Sequence, residues 1–218
     1  MKVLVFDTET TGLPTERNAS LFDTEKWPYI VQLSYILYDT ETKKMLKCKD
    51  DIIQISPCVK ISPESIAIHG ITPKMCIRKG IPIMQALTDF NAIIQEADLI
   101  VGHNICFDKN MLIVESVRQN MPHYFSNNGW RKDELCTMRH FVIDCSIERI
   151  NARGEKYFKF PTLVELHTHL FNMKPKNAHD AMADVLICLR CYAFGLHGQD
   201  IAKEGSGALK ELYNLYCL

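Results

Sequence analysis

The 218-residue chain predicts an α/β fold, a mixed β-sheet with helices on both faces. Three observations carry this. The apolar run Val3–Phe6, closed by Asp7 and Glu9, reads as a buried strand. Two stretches rich in β-branched and aromatic residues flank the polar turn Thr40-Glu41-Thr42-Lys43 and read as an antiparallel hairpin. Beyond residue 60, short apolar runs alternate with stretches of helical spacing, the pattern of a sheet covered by helices.

Taken in order, Lys2–Asp7 is the first strand. Thr8–Pro28, with Gly12, Pro14, Asn18, Ser20 and Asp23, reads as a long surface loop. Tyr29–Asp39 and Met45–Ile55 are the hairpin strands. Pro63–His69 and Pro73–Arg78 are short helices with proline in the first turn. Pro82–Ala97 has helical spacing through Ile83, Leu87, Phe90, Ile93 and Ile94. Asp98–His103 is a short strand closed by Gly102, and Ile105–Asn120 is again helical. Met121–Asp133 reads as loop, with an Asn127-Asn128-Gly129 turn. Leu135–Asp144 is a short strand or helix, and Cys145–Lys159 is polar and charged. Pro161–Asn172, Ala178–Leu196 and Ala208–Leu218 read as helices. The glycines from 195 to 207 suggest a main domain over 1–197 and an extension over 198–218, a short helix packed on it.

Composition narrows the classes. Hydrophobic content of 47% and charged content of 23% are ordinary for a globular domain. The net charge of −1 excludes a global field for polyanions, so such a ligand needs a local patch or metals. Nine scattered cysteines read as reduced thiols of an intracellular compartment, cytoplasm or nucleus. No apolar run approaches the ~18 residues of a membrane span.

The chemistry is carried by acids. Asp7 and Glu9, two apart on a strand, point to one face, and such close carboxylates repel unless a cation lies between them. Alone they also read as two solvated acids. Asp108 falls in a helix first turn, where the dipole alone would favour it. Asp184 stands among Ala181, Met182, Ala183, Val185, Leu186 and Ile187, where an acid is costly without a partner. His179 precedes it and reads alone as a surface or capping residue; Asp180 reads as a solvated acid near the helix start. If the four acids converge, their oxygens suit a pair of Mg²⁺ or Mn²⁺ ions, the device for in-line displacement at a phosphodiester. A neutral histidine beside them can accept the proton of water.

The segments Phe6-Asp7-Thr8-Glu9-Thr10-Thr11-Gly12-Leu13, His103-Asn104-Ile105-Cys106-Phe107-Asp108 and His179 to Asp184 occur in that order, with Ile68-His69-Gly70-Ile71-Thr72 between the first two. In them the chain resembles the DEDDh 3′→5′ exonucleases, the group that includes the bacterial DNA polymerase III proofreading subunit and ribonuclease T. The resemblance spans roughly residues 2–196. It implies a ribonuclease-H-like mixed five-stranded sheet, with the fifth strand near Glu134–Thr137. It implies that Asp7, Glu9, Asp108 and Asp184 hold two Mg²⁺ or Mn²⁺ ions and that His179 is the general base. Thr10, Gly12 and Leu13 would contact the terminal nucleotide, Leu13 either as a wedge or as a core residue. His69 and Asn104 are further substrate candidates, His69 alternatively structural and Asn104 alternatively a helix cap.

The activity implied is release of nucleoside 5′-monophosphates from the 3′ end of DNA, single-stranded or frayed. An exoribonuclease is the alternative, and a catalytically silent polymerase-associated module a second. A polymerase or other replication or repair partner is an expectation of the same kind. Trp27 and Tyr29 read either as a stacking platform or as an edge seal. Between residues 148 and 176, Arg149, Arg153, Lys156, Lys159, Lys174 and Lys176 outnumber Glu148, Glu155 and Glu165, which reads as a phosphate-tracking patch or a solvated face. Cys188 and Cys191 read as core, and His167 and His169 do not face one ligand.

Overall fold

The computed structural model describes residues 1–127 and 129–217. In chain order the elements are β1 (Lys2–Thr10), a 3₁₀ turn (Thr24–Lys26), β2 (Ile30–Asp39), β3 (Lys44–Ile52), α1 (Pro63–His69), α2 (Pro73–Lys79), α3 (Ile83–Glu96), β4 (Leu99–Gly102) and α4 (Ile105–Arg118). There follow β5 (Ser126–Asn127), β6 (Trp130–Arg131), β7 (Asp133–Cys136), α5 (Thr137–His140), α6 (Val142–Cys145), β8 (Glu148–Ile150), β9 (Lys156–Phe158), α7 (Leu163–Phe171), α8 (Ala181–His197), α9 (Ile201–Glu204) and α10 (Gly207–Cys217).

The main sheet has five strands in the order β3-β2-β1-β4-β7. β1 pairs antiparallel with β2 and parallel with β4, and β4 pairs parallel with β7, so the sheet is mixed as expected. Side chains alternate along β1. Val3 and Val5 enter a core with α8 residues such as Met182, Val185 and Leu189. Leu4 and Phe6 enter the opposite core with α3 and α4, through Phe90, Ile94, Met111 and Leu112. The site's geometry follows from this alternation.

Local sequence sets the helix ends. Ser62 and Thr72 cap α1 and α2, each helix opens on proline, and α1 stops at Gly70, whose φ of 73° is the left-handed stop glycine favours. A capping box between Thr162 and Glu165 opens α7.

Several expectations are corrected. β1 does not end at Asp7; pairing with β2 continues to Thr10, and Thr8, Thr10 and Thr11 are buried rather than in a surface loop. α8 begins at Ala181, because Asp180 is extended and its Oδ1 accepts from the Met182 and Ala183 N–H groups. Asp180 is thus a half-buried cap, not a solvated acid, and His179 lies outside the helix. The segment 121–133 carries the small β5–β6 hairpin, while its Asn128 lies outside the described residues. Leu135–Asp144 is strand and then two short helices, and the polar segment after it carries the exposed β8–β9 hairpin. There Lys156 pairs with Glu148 at 3.2 Å and Lys159 with Glu165 at 2.6 Å, which cancels part of the basic excess. Trp27 is buried with Leu4 and Phe6, its indole donating to the Ser20 carbonyl, so most of its surface is held in the core.

The extension carries α9 as well as α10; Leu218, the expected end of the last helix, lies outside the described residues. Leu209, Tyr213 and Cys217 of α10 are buried in the α8 core. A buried polar network ties these helices together: Arg190 donates to both oxygens of Asp200 at 2.8 Å and to the Tyr213 hydroxyl at 2.7 Å. His167 lies 2.9 Å from the same hydroxyl, which explains its complete burial. Among the described residues no helix is long and apolar enough to cross a membrane.

Candidate active site

Asp7 and Glu9 continue the Val3–Val5 row, so they face α8, which carries Asp184 in its first turn. The three residues converge: one carboxylate oxygen from each lies within 4.8 Å of the others. Burial pushes the Asp7 carboxyl well above the usual range, and the charges of Asp108, Asp184 and Glu9 push it further. Glu9 is raised to about 8 by burial and then by Asp184 and Asp108. Asp184 is raised to about 7 by burial, which outweighs the His179 N–H donated to its Oδ2 at 3.2 Å. Its other oxygen, Oδ1, is buried and has no hydrogen-bond partner among the described residues. An orphaned carboxylate oxygen among mutually repelling acids fits a hard divalent cation with oxygen ligands.

Asp108 arrives from the other face. It stands on α4, and the even-numbered Thr8 points towards it; Asp108 Oδ1 accepts from the Thr8 N–H at 3.0 Å and the Thr8 hydroxyl at 2.7 Å. Burial raises it to about 7 against those bonds. Asp108 thus adds its charge to the cluster while it pins the β1 main chain, and it is not within the group of three. Thr8 was not among the candidates, although strand parity points it at α4. His103 was also missed: Nε2 donates to the Pro161 carbonyl at 3.0 Å, and Nδ1 lies 3.0 Å from the Thr137 hydroxyl. Burial pushes it down to about 4, so it is a neutral clamp joining the end of β4 to the approach of α7. Asn104 is exposed, with φ of 64°, and its side chain makes no capping bond to α4.

The His179 main chain, not its ring, contacts Asp184. The residue is exposed, with φ of 81°, and among the described residues its ring makes no hydrogen bond.

Beyond Glu9 the chain turns along a cleft of about 930 Å³ lined by Thr8 to Leu13, Trp27, Tyr29, His69 and Phe107 among others. The turn is tied from several sides. The Thr10 hydroxyl donates to the Gly12 carbonyl at 2.7 Å. His69 Nδ1 accepts from the Ile71 N–H, which leaves Nε2 to donate to the Thr10 carbonyl at 3.2 Å. Burial holds that imidazole below its ordinary value, hence neutral. Leu13 is 79% exposed, which removes the core reading and leaves its side chain free at the cleft. The far wall is fastened by Arg118 of α4, which donates to the carbonyls of Thr24, Trp27 and Pro28 and stacks 4.0 Å from the Tyr29 ring centre.

Residues 4–192 match the family model described as Exonuclease (RNase_T). No curated protein sequence matches significantly. Among solved structures the fold is similar to E. coli exonuclease I in complex with a dT13 oligonucleotide, at 18% identity and a TM-score of 0.63 over 88% of this chain and 41% of that one. It is equally similar to a moderately thermophilic exonuclease I from Methylocaldum szegediense, at 18% identity and TM-score 0.63 over 92% and 42%. A zinc-bound E. coli exonuclease I–single-stranded DNA complex matches at 18% and 0.62 over 98% and 42%. The chain spans about two-fifths of the length of these proteins. With a family match over most of its length, the chain belongs to the exonuclease family.

Proposed function

We propose that the protein is a metal-dependent 3′→5′ exonuclease of the DEDDh type, releasing nucleoside 5′-monophosphates from single-stranded or frayed DNA ends. The observation that carries this is the convergence of Asp7, Glu9 and Asp184 around a buried oxygen that has no partner among the described residues, with Glu9 also lining the cleft. These three, with Asp108 beside Asp7, would hold two Mg²⁺ or Mn²⁺ ions. Bound there, such ions supply Lewis-acid activation of water and neutralise the charge that develops on the leaving oxygen. His179 is the proton acceptor: its exposed ring is free to take the proton of water while its N–H holds it beside Asp184. Thr10, Gly12 and Leu13 form the turn that meets the terminal nucleotide. Its rigidity, set by His69 and Thr10 itself, limits the positions a sugar can take. Asn104, exposed at the start of α4, faces solvent as a sugar contact would. The solved structures bound to dT13 support single-stranded DNA as the substrate class.

The test is turnover of matched 3′-ended single-stranded DNA, mismatched duplex DNA and RNA by the purified chain with Mg²⁺. Faster release from single-stranded or mismatched DNA is expected. Preference for RNA would make the protein an exoribonuclease, and binding without turnover a silent module.

A further inference from the structure

Residues beyond 192 lie outside the matched exonuclease segment, yet the last turn of α10 holds the loop on which His179 stands. Asn177 Nδ2 donates to the Tyr216 carbonyl at 2.9 Å, and the Lys176 N–H donates to the Cys217 carbonyl at 3.2 Å. Carbonyls of a helix's last turn have no intrahelical partner, so the loop supplies the donors that the end of α10 lacks. That helix end is itself fixed. Cys217 is buried in the α8 core, and the Tyr216 hydroxyl donates to Asp50 Oδ2 at 3.0 Å. The other Asp50 oxygen accepts from Gln32 and Ser34 of β2 at 2.8 and 2.7 Å. Between this anchor and Asp184 the chain passes through two left-handed residues, Asn177 at φ 53° and His179 at φ 81°. Residues other than glycine hold that conformation where the surroundings impose it. Leu215 and Tyr216 also wall a groove of about 620 Å³ that His69 and His179 share.

We propose that the end of α10 is part of the catalytic apparatus, with Asn177 and Tyr216 as positioning residues that fix the His179 loop against Asp184. The catalytic consequence rests on the reading of His179 as proton acceptor. The anchoring itself does not.

Two variants break the anchor from opposite sides. Asn177→Gly removes the donor and keeps the left-handed backbone accessible. Tyr216→Phe removes the hydroxyl that fixes the helix end and leaves the loop sequence intact. The measurements, on the full chain, are amide exchange over residues 174–180, the thermal midpoint, and kcat and KM on 3′-labelled single-stranded DNA with Mg²⁺. Loop exchange should speed by roughly two- to tenfold, the worth of one hydrogen bond. kcat should fall with KM held within about twofold. Each variant combined with His179→Ala should be no slower than His179→Ala alone, because both act through one group. Unchanged loop exchange, or rate losses that multiply with that of His179→Ala, overturns the proposal. Full activity in His179→Ala overturns the proton-acceptor reading and with it the catalytic role of the anchor. Unchanged exchange with kcat intact in the anchor variants overturns the anchor and leaves that reading standing.

Discussion

The Asp184 carboxylate contributes one satisfied oxygen and one buried oxygen without a partner among the described residues, and it does so beside two other acids. Without a cation the folded protein therefore favours protons on these groups. A carboxyl raised by folding adds stability below its unfolded value and loses it as pH rises through the folded one. Asp108 and Asp184 are raised to about 7, and Glu9 to about 8. The chelator-treated protein should thus melt at progressively lower temperature as pH rises from about 5 to 8. Mg²⁺ should restore the midpoint most at the alkaline end. A melting temperature that climbs over the same range would contradict the cluster. Asp7→Asn should abolish turnover and raise the metal-free midpoint at pH 8, since it removes one of the repelling charges; Asp184→Asn should do the same. Retained activity in either variant would sink the metal assignment. His179→Ala should slow the reaction by roughly 10²- to 10⁴-fold, the usual worth of a general base, as read from single-turnover rates.

At the scale of elements, β1 is a two-sided device: its odd positions deliver Asp7 and Glu9 to α8 and its even Thr8 reaches Asp108 on α4. Much of this was legible. The α1 bounds follow from Pro63 and Gly70, and the pairing of Asp7 with Glu9 follows from strand period. The start of α8 was not, because an apolar pattern beginning at Ala178 says nothing about which residue bends away, whereas the Asp180 carboxylate decides it by capping. The β8–β9 hairpin was illegible for another reason: its residues are exposed, so no burial pattern marks them. The fastening of the 14–28 segment by Arg118 joins residues about ninety positions apart and leaves no local signal. Its side chain and that of Glu115 are both buried and lie 2.8 Å apart. Arg118→Ala should cost about 3–5 kcal/mol in denaturant unfolding, because it strands the Glu115 charge as well as three carbonyls. A loss below about 1 kcal/mol would show that the cleft wall stands without it.

In the whole molecule, the parallel pair β1 and β4 brings the end of one strand beside the helix that follows the other, the place where α/β sheets hold ligands. The antiparallel hairpin β2–β3 extends the sheet on one side, and α8 with α10 covers the face that bears the acids. The chain spans about two-fifths of the length of the exonuclease I structures and shares their fold over that span. The most direct measurement follows a single-stranded DNA oligonucleotide labelled along its length, incubated with the purified chain and Mg²⁺, with a 3′-blocked copy beside it. Stepwise shortening from the free 3′ end is expected, with nucleoside 5′-monophosphates as the product and no reaction in excess EDTA or with Asp7→Asn. Equal degradation of the blocked copy, release of internal fragments, or turnover that persists in EDTA would contradict it.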